Sequence, residues 1–268
     1  MRGLYVIILA IDSIRQGAKM IANKTKVNDL IFTGIFLFAL VLLFSCETQK
    51  FESQKTILIS RAEEAIDRNQ YEQAIEILDS LIETDSVNAN LLYLAGKAER
   101  GLNRNEEAIS YLSKAIQLNP NYGEAYLERG GAKFNSGDWD GALSDYDKAI
   151  DVSPDLPDPY ALRAAVRCFQ RIEMDSINDL IDDFTTAIRL RPDYAFAWFF
   201  RGFVKIPIED YEGAIEDLTR AIELDSSYAD AYNQRAIAWR ALGELEKAKQ
   251  DSLMFELKVI PCKLANDT

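Results

Sequence analysis

The 268 residues include no histidine, so the commonest general base and the commonest metal ligand are both missing. No Ser-His-Asp or Cys-His arrangement can form. Carboxylates are plentiful. Asp145/Asp147 and Asp182-Asp183 are of the type that general acid–base chemistry would use, but on amphipathic helices such pairs read as solvated faces. Asp138-Trp139-Asp140-Gly141 begins like a calcium loop, yet the run from Ser136 to Asp151 lacks the further oxygen ligands and the closing Glu. Cys168 and Cys262 are not at metal spacing, and three cysteines cannot build a disulfide framework. Gly130-Gly131 reads as a helix-packing pair. There is no phosphate-binding glycine loop and no nucleophile elbow. The expectation is a protein without catalytic residues, cofactor or metal site, and not an enzyme. A net charge of −13 also argues against nucleic acid as a partner. The chemistry left is recognition: Phe196, Phe199 and Phe203 lie at i, i+3, i+7, one stripe of a helix that reads AFAWFFRGFVKI.

The elements that would position such a stripe start after an apolar leader. Leu30 to Phe44 is uncharged, follows Lys19, Lys24 and Lys26, and precedes Ser45-Cys46, the layout of an export signal. Fifteen helical residues span only about 22 Å, short of the ~30 Å of a bilayer core. Leu43-Phe44-Ser45-Cys46 resembles a bacterial lipobox. That resemblance implies cleavage before Cys46, acylation there, and a lipid-anchored protein of the bacterial cell envelope, at the outer membrane and facing the periplasm or the surface. Met20 would begin a signal of ordinary length. Residues 1–19 are therefore expected to precede the true start, with 20–45 as signal helix and 46–54 as a polar tether.

Beyond the tether the chain repeats itself every 34 residues, in six units starting at Lys55, Ala89, Gly123, Pro157, Ala195 and Ala229. Each reads as two amphipathic helices. Large residues open the first helix (Leu58, Leu92, Tyr126, Tyr160, Trp198, Tyr232), and small ones follow four places on (Ala62, Gly96, Gly130, Ala164, Gly202, Ala236). In the second helix Ala74, Ala108, Ala142, Ala214 and Ala248 recur, with Leu180 in the fourth unit. The fourth unit is four residues longer, within Gln170 to Asp179. In the last unit Lys249 and Glu256 replace the apolar pairs seen earlier, such as Ile215/Ile222, so that unit should cap the stack. This pattern resembles the tetratricopeptide repeat. It implies an all-α fold, a right-handed α-solenoid of about six helix-turn-helix units over residues 55–262, behind the N-terminal signal helix and followed by a tail at 263–268.

The same resemblance implies protein or peptide partners, held on a concave face lined by the first helix of each unit. Carried over by position, the lining residues are Tyr93, Lys97 and Arg100, then Leu127 and Phe134, then Cys168 and Phe169. The fifth unit offers Phe196, Phe199, Phe203 and Ile206, and the sixth Asn233 and Arg240. A helix apolar on two faces is either buried twice or exposes a binding patch. The expected patch is an apolar groove running from Phe134 through Phe169 to Phe199. Ile59 with Glu63, Tyr93 with Lys97 and Leu127 with Gly131 do not supply the Lys/Asn/Arg clamp of repeats that grip chaperone tails. The expected role is an adaptor or assembly factor. The alternative is a permanent structural subunit binding through its convex face or its ends.

Overall fold

The computed structural model describes residues 52–170 and 177–266, with Ser13, Phe36, Phe38 and Gln49, and side chains as far as residue 259. The leader, Cys46 and the start at Met20 lie outside the described residues. Residues 1–58 and 59–268 are separate compact units, and the repeats belong to the second apart from the opening residues of the first helix. Among the described residues no helix is long and apolar enough to cross a membrane.

Twelve α-helices and no strands are described. They pair as 52–67 (α1) with Tyr71–Thr84 (α2), Ala89–Gly101 (α3) with Asn105–Leu118 (α4), and Gly123–Asn135 (α5) with Trp139–Val152 (α6). Next come Pro157–Phe169 (α7) with Ile177–Leu190 (α8), Ala195–Lys205 (α9) with Tyr211–Leu224 (α10), and Ala229–Ala241 (α11) with Leu245–Asn266 (α12). A short 3₁₀ turn, Ile206–Ile208, follows α9. The all-helical solenoid expected from the repeat is the fold found. The extra residues of the fourth unit fall between Phe169 and Ile177.

The first five pairs close on one size match; the sixth has Ser252 at that place. A large residue of the second helix (Leu78, Leu112, Tyr146, Phe184, Leu218) is fully buried, and Leu112, Tyr146 and Leu218 stand directly against Gly96, Gly130 and Gly202 of the first. A Cβ placed on Gly202 would lie 2.8 Å from Leu218 Cγ, which is why that helix crossing carries glycine. The turn inside a pair needs a left-handed residue. Asn69, Asn103, Gly137, Glu209 and Gly243 fill it in phase, with φ from 58° to 83°. Asp138 and Asp210 then cap the second helix by accepting from the N–H of Gly141 and Gly213. Asp138-Trp139-Asp140-Gly141 is thus a helix start.

Pairs stack because each second helix keeps an apolar stripe for the next pair: Ile82 packs against the cluster around Leu92, Ala108 and Leu112. First helices also touch directly, α3 with α5, α5 with α7 and α7 with α9. In α12, Lys249 and Glu256 are exposed as expected of a cap. Leu245, Leu253 and Leu257 are exposed on the same side, so that end is polar only in part. The helix also continues to Asn266, so residues 263–266 extend it where a tail was expected.

Candidate functional site

The stripe on α9 separates into rings with different jobs. Phe199 is only 7% exposed; it packs with Ala214 and Leu218 and is covered by Tyr228 at 4.5 Å. It is a core residue, which corrects its expected place at the end of the groove. The reason lies in the following repeat, whose leading tyrosine leans over this position. Tyr93 in the second pair is covered by Tyr122 in the same way, at 4.9 Å. Burial, then the negative charge of Glu128, pushes the Tyr93 hydroxyl well above its ordinary pKa. Phe196 is half-buried between Tyr194 and Phe200.

Phe200, which the sequence reading passed over, is the junction. Its ring centroid lies 4.5 Å from Phe196, 5.0 Å from Phe199, 5.8 Å from Phe184 and 6.3 Å from both Phe169 and Phe203. Phe169 lies 6.2 Å from Phe134, and Phe134 lies 6.1 Å from Trp139. The expected run from Phe134 to Phe169 therefore exists and continues through Phe200 to Phe203. Trp139, Phe169 and Phe203 are the exposed members, Phe169 most of all at 55%. These rings sit where first helices end and second helices begin, spanning three repeats.

The other expected lining residues do not join this strip. Arg100 donates from Nε to Glu128 and lies across Gly131. Lys97 is half-buried on α3. Leu127 packs against the cluster of Ala142, Tyr146 and Val166, and Ile206 against the cluster that holds Phe199 and Leu218. Cys168 packs into the fourth pair, where burial pushes its thiol up to about 12. Asn233 is half-buried, and Arg240 donates to Ser252 Oγ at 2.6 Å, both on the last pair.

A second pattern escaped the reading because it uses charge where the repeat was read for size. Arg129, Arg163, Arg201 and Arg235 occupy one position of the first helix in four successive pairs. Each grips an aspartate of its own second helix, Asp145, Asp183, Asp217 and Asp251, with two N–H donors at 2.6–2.9 Å. The third nitrogen of each arginine reaches back to the preceding pair, to Ser113, Asp147, Thr185 or Thr219, at 2.7–3.1 Å. Each guanidinium also lies over the aromatic that opens its helix, Trp198 at 4.8 Å for Arg201. Lys133 and Lys205 add a second cation to Asp145 and Asp217 at 2.8 Å. Asp145 and Asp183 are thus buried ion-pair members and not solvated charges, a correction to the expectation; Asp182 is exposed. The signal was available as Arg and Asp sixteen places apart, twenty in the lengthened fourth pair, recurring in phase.

Sequence profiles of the tetratricopeptide repeat match residues 59–123 and 93–157, and a further one matches 208–243. The chain carries tetratricopeptide repeats. The stretch 158–207, which these matches leave out, holds the lengthened fourth pair and folds the same way. No curated protein matches the chain in sequence. Among solved structures, the repeat resembles MamA from Desulfovibrio magneticus (20% identity, TM-score 0.53, covering 65% of this chain and 96% of that one). It also resembles YrrB, described as a tetratricopeptide-repeat protein with an unusual peptide-binding site (18% identity, TM-score 0.56, covering 69% and 97%). The C-terminal part of a repeat-containing protein from Cytophaga hutchinsonii is similar too (16% identity, TM-score 0.58, covering 76% and 80%). At these identities the likeness concerns the fold.

Proposed function

We propose that this tetratricopeptide-repeat protein is a lipid-anchored adaptor or assembly factor of the bacterial cell envelope. It would hold a protein or peptide partner against the first-helix surface and carry out no reaction of its own. One observation carries the binding role: three exposed aromatic side chains, Trp139, Phe169 and Phe203, joined by Phe134 and Phe200 into one continuous apolar strip. Burying one Phe contributes roughly 1.5–3 kcal/mol, so a few such rings suffice to anchor a segment. The anchor rests on the lipobox-like Leu43-Phe44-Ser45-Cys46. Several acyl chains would hold the domain at the membrane and raise its local concentration there.

Two experiments test the two parts. Metabolic labelling with a tritiated fatty acid should mark the wild-type chain and not Cys46→Ser; equal labelling refutes the anchor. Crosslinking in native membranes should recover a partner that Phe169→Asp loses while the fold is kept. A partner indifferent to Phe169→Asp removes the strip from the recognition role. A second reading, a permanent structural subunit joined through its ends, draws on the exposed Leu245, Leu253 and Leu257 of the last helix. It predicts a stoichiometric complex insensitive to Phe169 and broken by Leu253→Glu.

A further inference from the structure

Among the described residues, exposed carboxylates stand near both ends of the strip. Asp138 and Asp140 flank Trp139 on either side in sequence, and all three are exposed. The side chain of Gln170, next to Phe169, donates to Asp140 at 3.2 Å, which places that carboxylate beside the most exposed ring. At the far end Glu209 and Asp210 follow the exposed Ile208, just beyond Phe203 on the chain, and are themselves exposed. Two lysines that adjoin these rings in sequence face inward. Lys133 and Lys205 hold their ammonium groups 2.8 Å from the buried Asp145 and Asp217. Exposed carboxylates therefore flank the aromatic surface at Asp138/Asp140 and, along the chain, at Glu209/Asp210, while Lys133 is held by the core and Lys205 sits closer to Asp217 than to Asp210, which is 4.0 Å away.

We infer that the strip recognises a basic partner: an extended segment with apolar, preferably aromatic, anchors flanked by lysine or arginine. This rests on the recognition role proposed above and names the chemistry of its partner. The anchors would lie over Phe169 and Phe203, where apolar area is left open to water. Flanking cations would meet the Asp138/Asp140 and Glu209/Asp210 ends, where complementary charge adds specificity and speeds encounter. A partner with acidic flanks would meet like charge at both ends. A purely cationic partner would gain the rim and miss the strip. One without charge would fill the strip only.

The test uses the full chain, purified in a mild non-ionic detergent, and three fluorescein-labelled peptides. One carries two phenylalanines between lysine pairs, one the same phenylalanines between glutamate pairs, and one the lysines with alanine for phenylalanine. Fluorescence anisotropy should give the tightest binding for the lysine–phenylalanine peptide, weaker by about tenfold for Phe169→Ala, the size of a hot-spot loss. Asp138→Asn with Asp140→Asn keeps the helix cap and should weaken this peptide several-fold, with a flatter dependence on salt. Equal or tighter binding of the glutamate peptide overturns the inference, as does indifference to the double Asp change, or no binding by any peptide. These failures leave the adaptor role standing, because that role is judged by the Phe169-dependent partner in native membranes. Absence of any Phe169-dependent partner in native membranes, with peptide preference intact, would instead remove the role and keep the chemistry of the strip.

Discussion

Removing the carboxylate of Asp217 should be the most damaging single change among the charged residues of the repeats. Asp217 is 1% exposed and accepts from Arg201 at 2.9 and 2.7 Å, with Lys205 Nζ at 2.8 Å. In Asp217→Ala both cations lose their buried counterion: Arg201 keeps only Thr185 and the Trp198 ring, and Lys205 keeps the exposed Asp210 at 4.0 Å and the Gly213 carbonyl. Breaking a buried pair from one side costs about 3–5 kcal/mol. Asp251 in the last pair is the built-in comparison: it is 5% exposed and has one arginine, with Trp239 where the other pairs carry a second cation. Asp251→Ala should cost less, about 2–3 kcal/mol, the penalty of one unpaired buried charged partner. Repeat arrays need not unfold in one step, so a local readout is required. Native-state hydrogen exchange followed by mass spectrometry supplies it, through peptides from α9 and α10. A loss below about 1 kcal/mol for Asp217→Ala, or equal losses at the two sites, would refute the claim that the buried carboxylate neutralises two cations.

Other expectations follow from single residues. Glu209 holds φ 63° where the other described turns use Asn or Gly, so Glu209→Gly should raise stability by about 1 kcal/mol in urea unfolding, and Gly137→Ala should lower it by a similar amount. Phe199→Glu should destabilise the fifth pair, seen as loss of helical circular dichroism on heating, whereas Phe169→Asp should leave the melting curve unchanged. Burial raises the hydroxyl of Tyr146 from about 10 to about 12. Above pH 10 the unfolded chain therefore sheds a proton that the folded chain keeps, and stability should fall as pH rises from about 10 to about 12, with Tyr146 contributing up to ~1.4 kcal/mol per pH unit and the other buried tyrosines adding to the fall. Unchanged urea midpoints across that range would contradict the burial of Tyr146. The Cys168 thiol, pushed up to about 12, should resist iodoacetamide in the folded chain at pH 8 and react at once in denaturant.

The size pattern of the repeat was legible because packing imposes it on every pair: Gly202 is small because Leu218 stands against it. Pair boundaries followed from the same periodicity, even across the lengthened fourth pair. The site was legible in part. Phe134, Phe169 and Phe203 were found by position, but a helix wheel cannot show that the next repeat sends Tyr228 over Phe199. For the same reason Phe200 was missed: on its own helix it looks like filler between two faces, and only the stacking of α7 beside α9 makes it the meeting point of the rings. The aspartates were misread because charge on an amphipathic helix usually means solvent. Their arginine partners lie sixteen or twenty residues away on another helix, a spacing that no single-helix argument inspects.

The arginines give the solenoid a stiffness gradient. From the third pair onward each guanidinium bolts its own hairpin shut and hooks the hairpin before it. The second pair has Ala95 and Tyr111 in those two places, with a single bond at 3.3 Å from the tyrosine back to Asp79. The first has Arg61 and Ile77. Twisting or pulling the solenoid should therefore open hairpins at the beginning of the chain first, while the aromatic strip rides on the rigid half and keeps its shape under load.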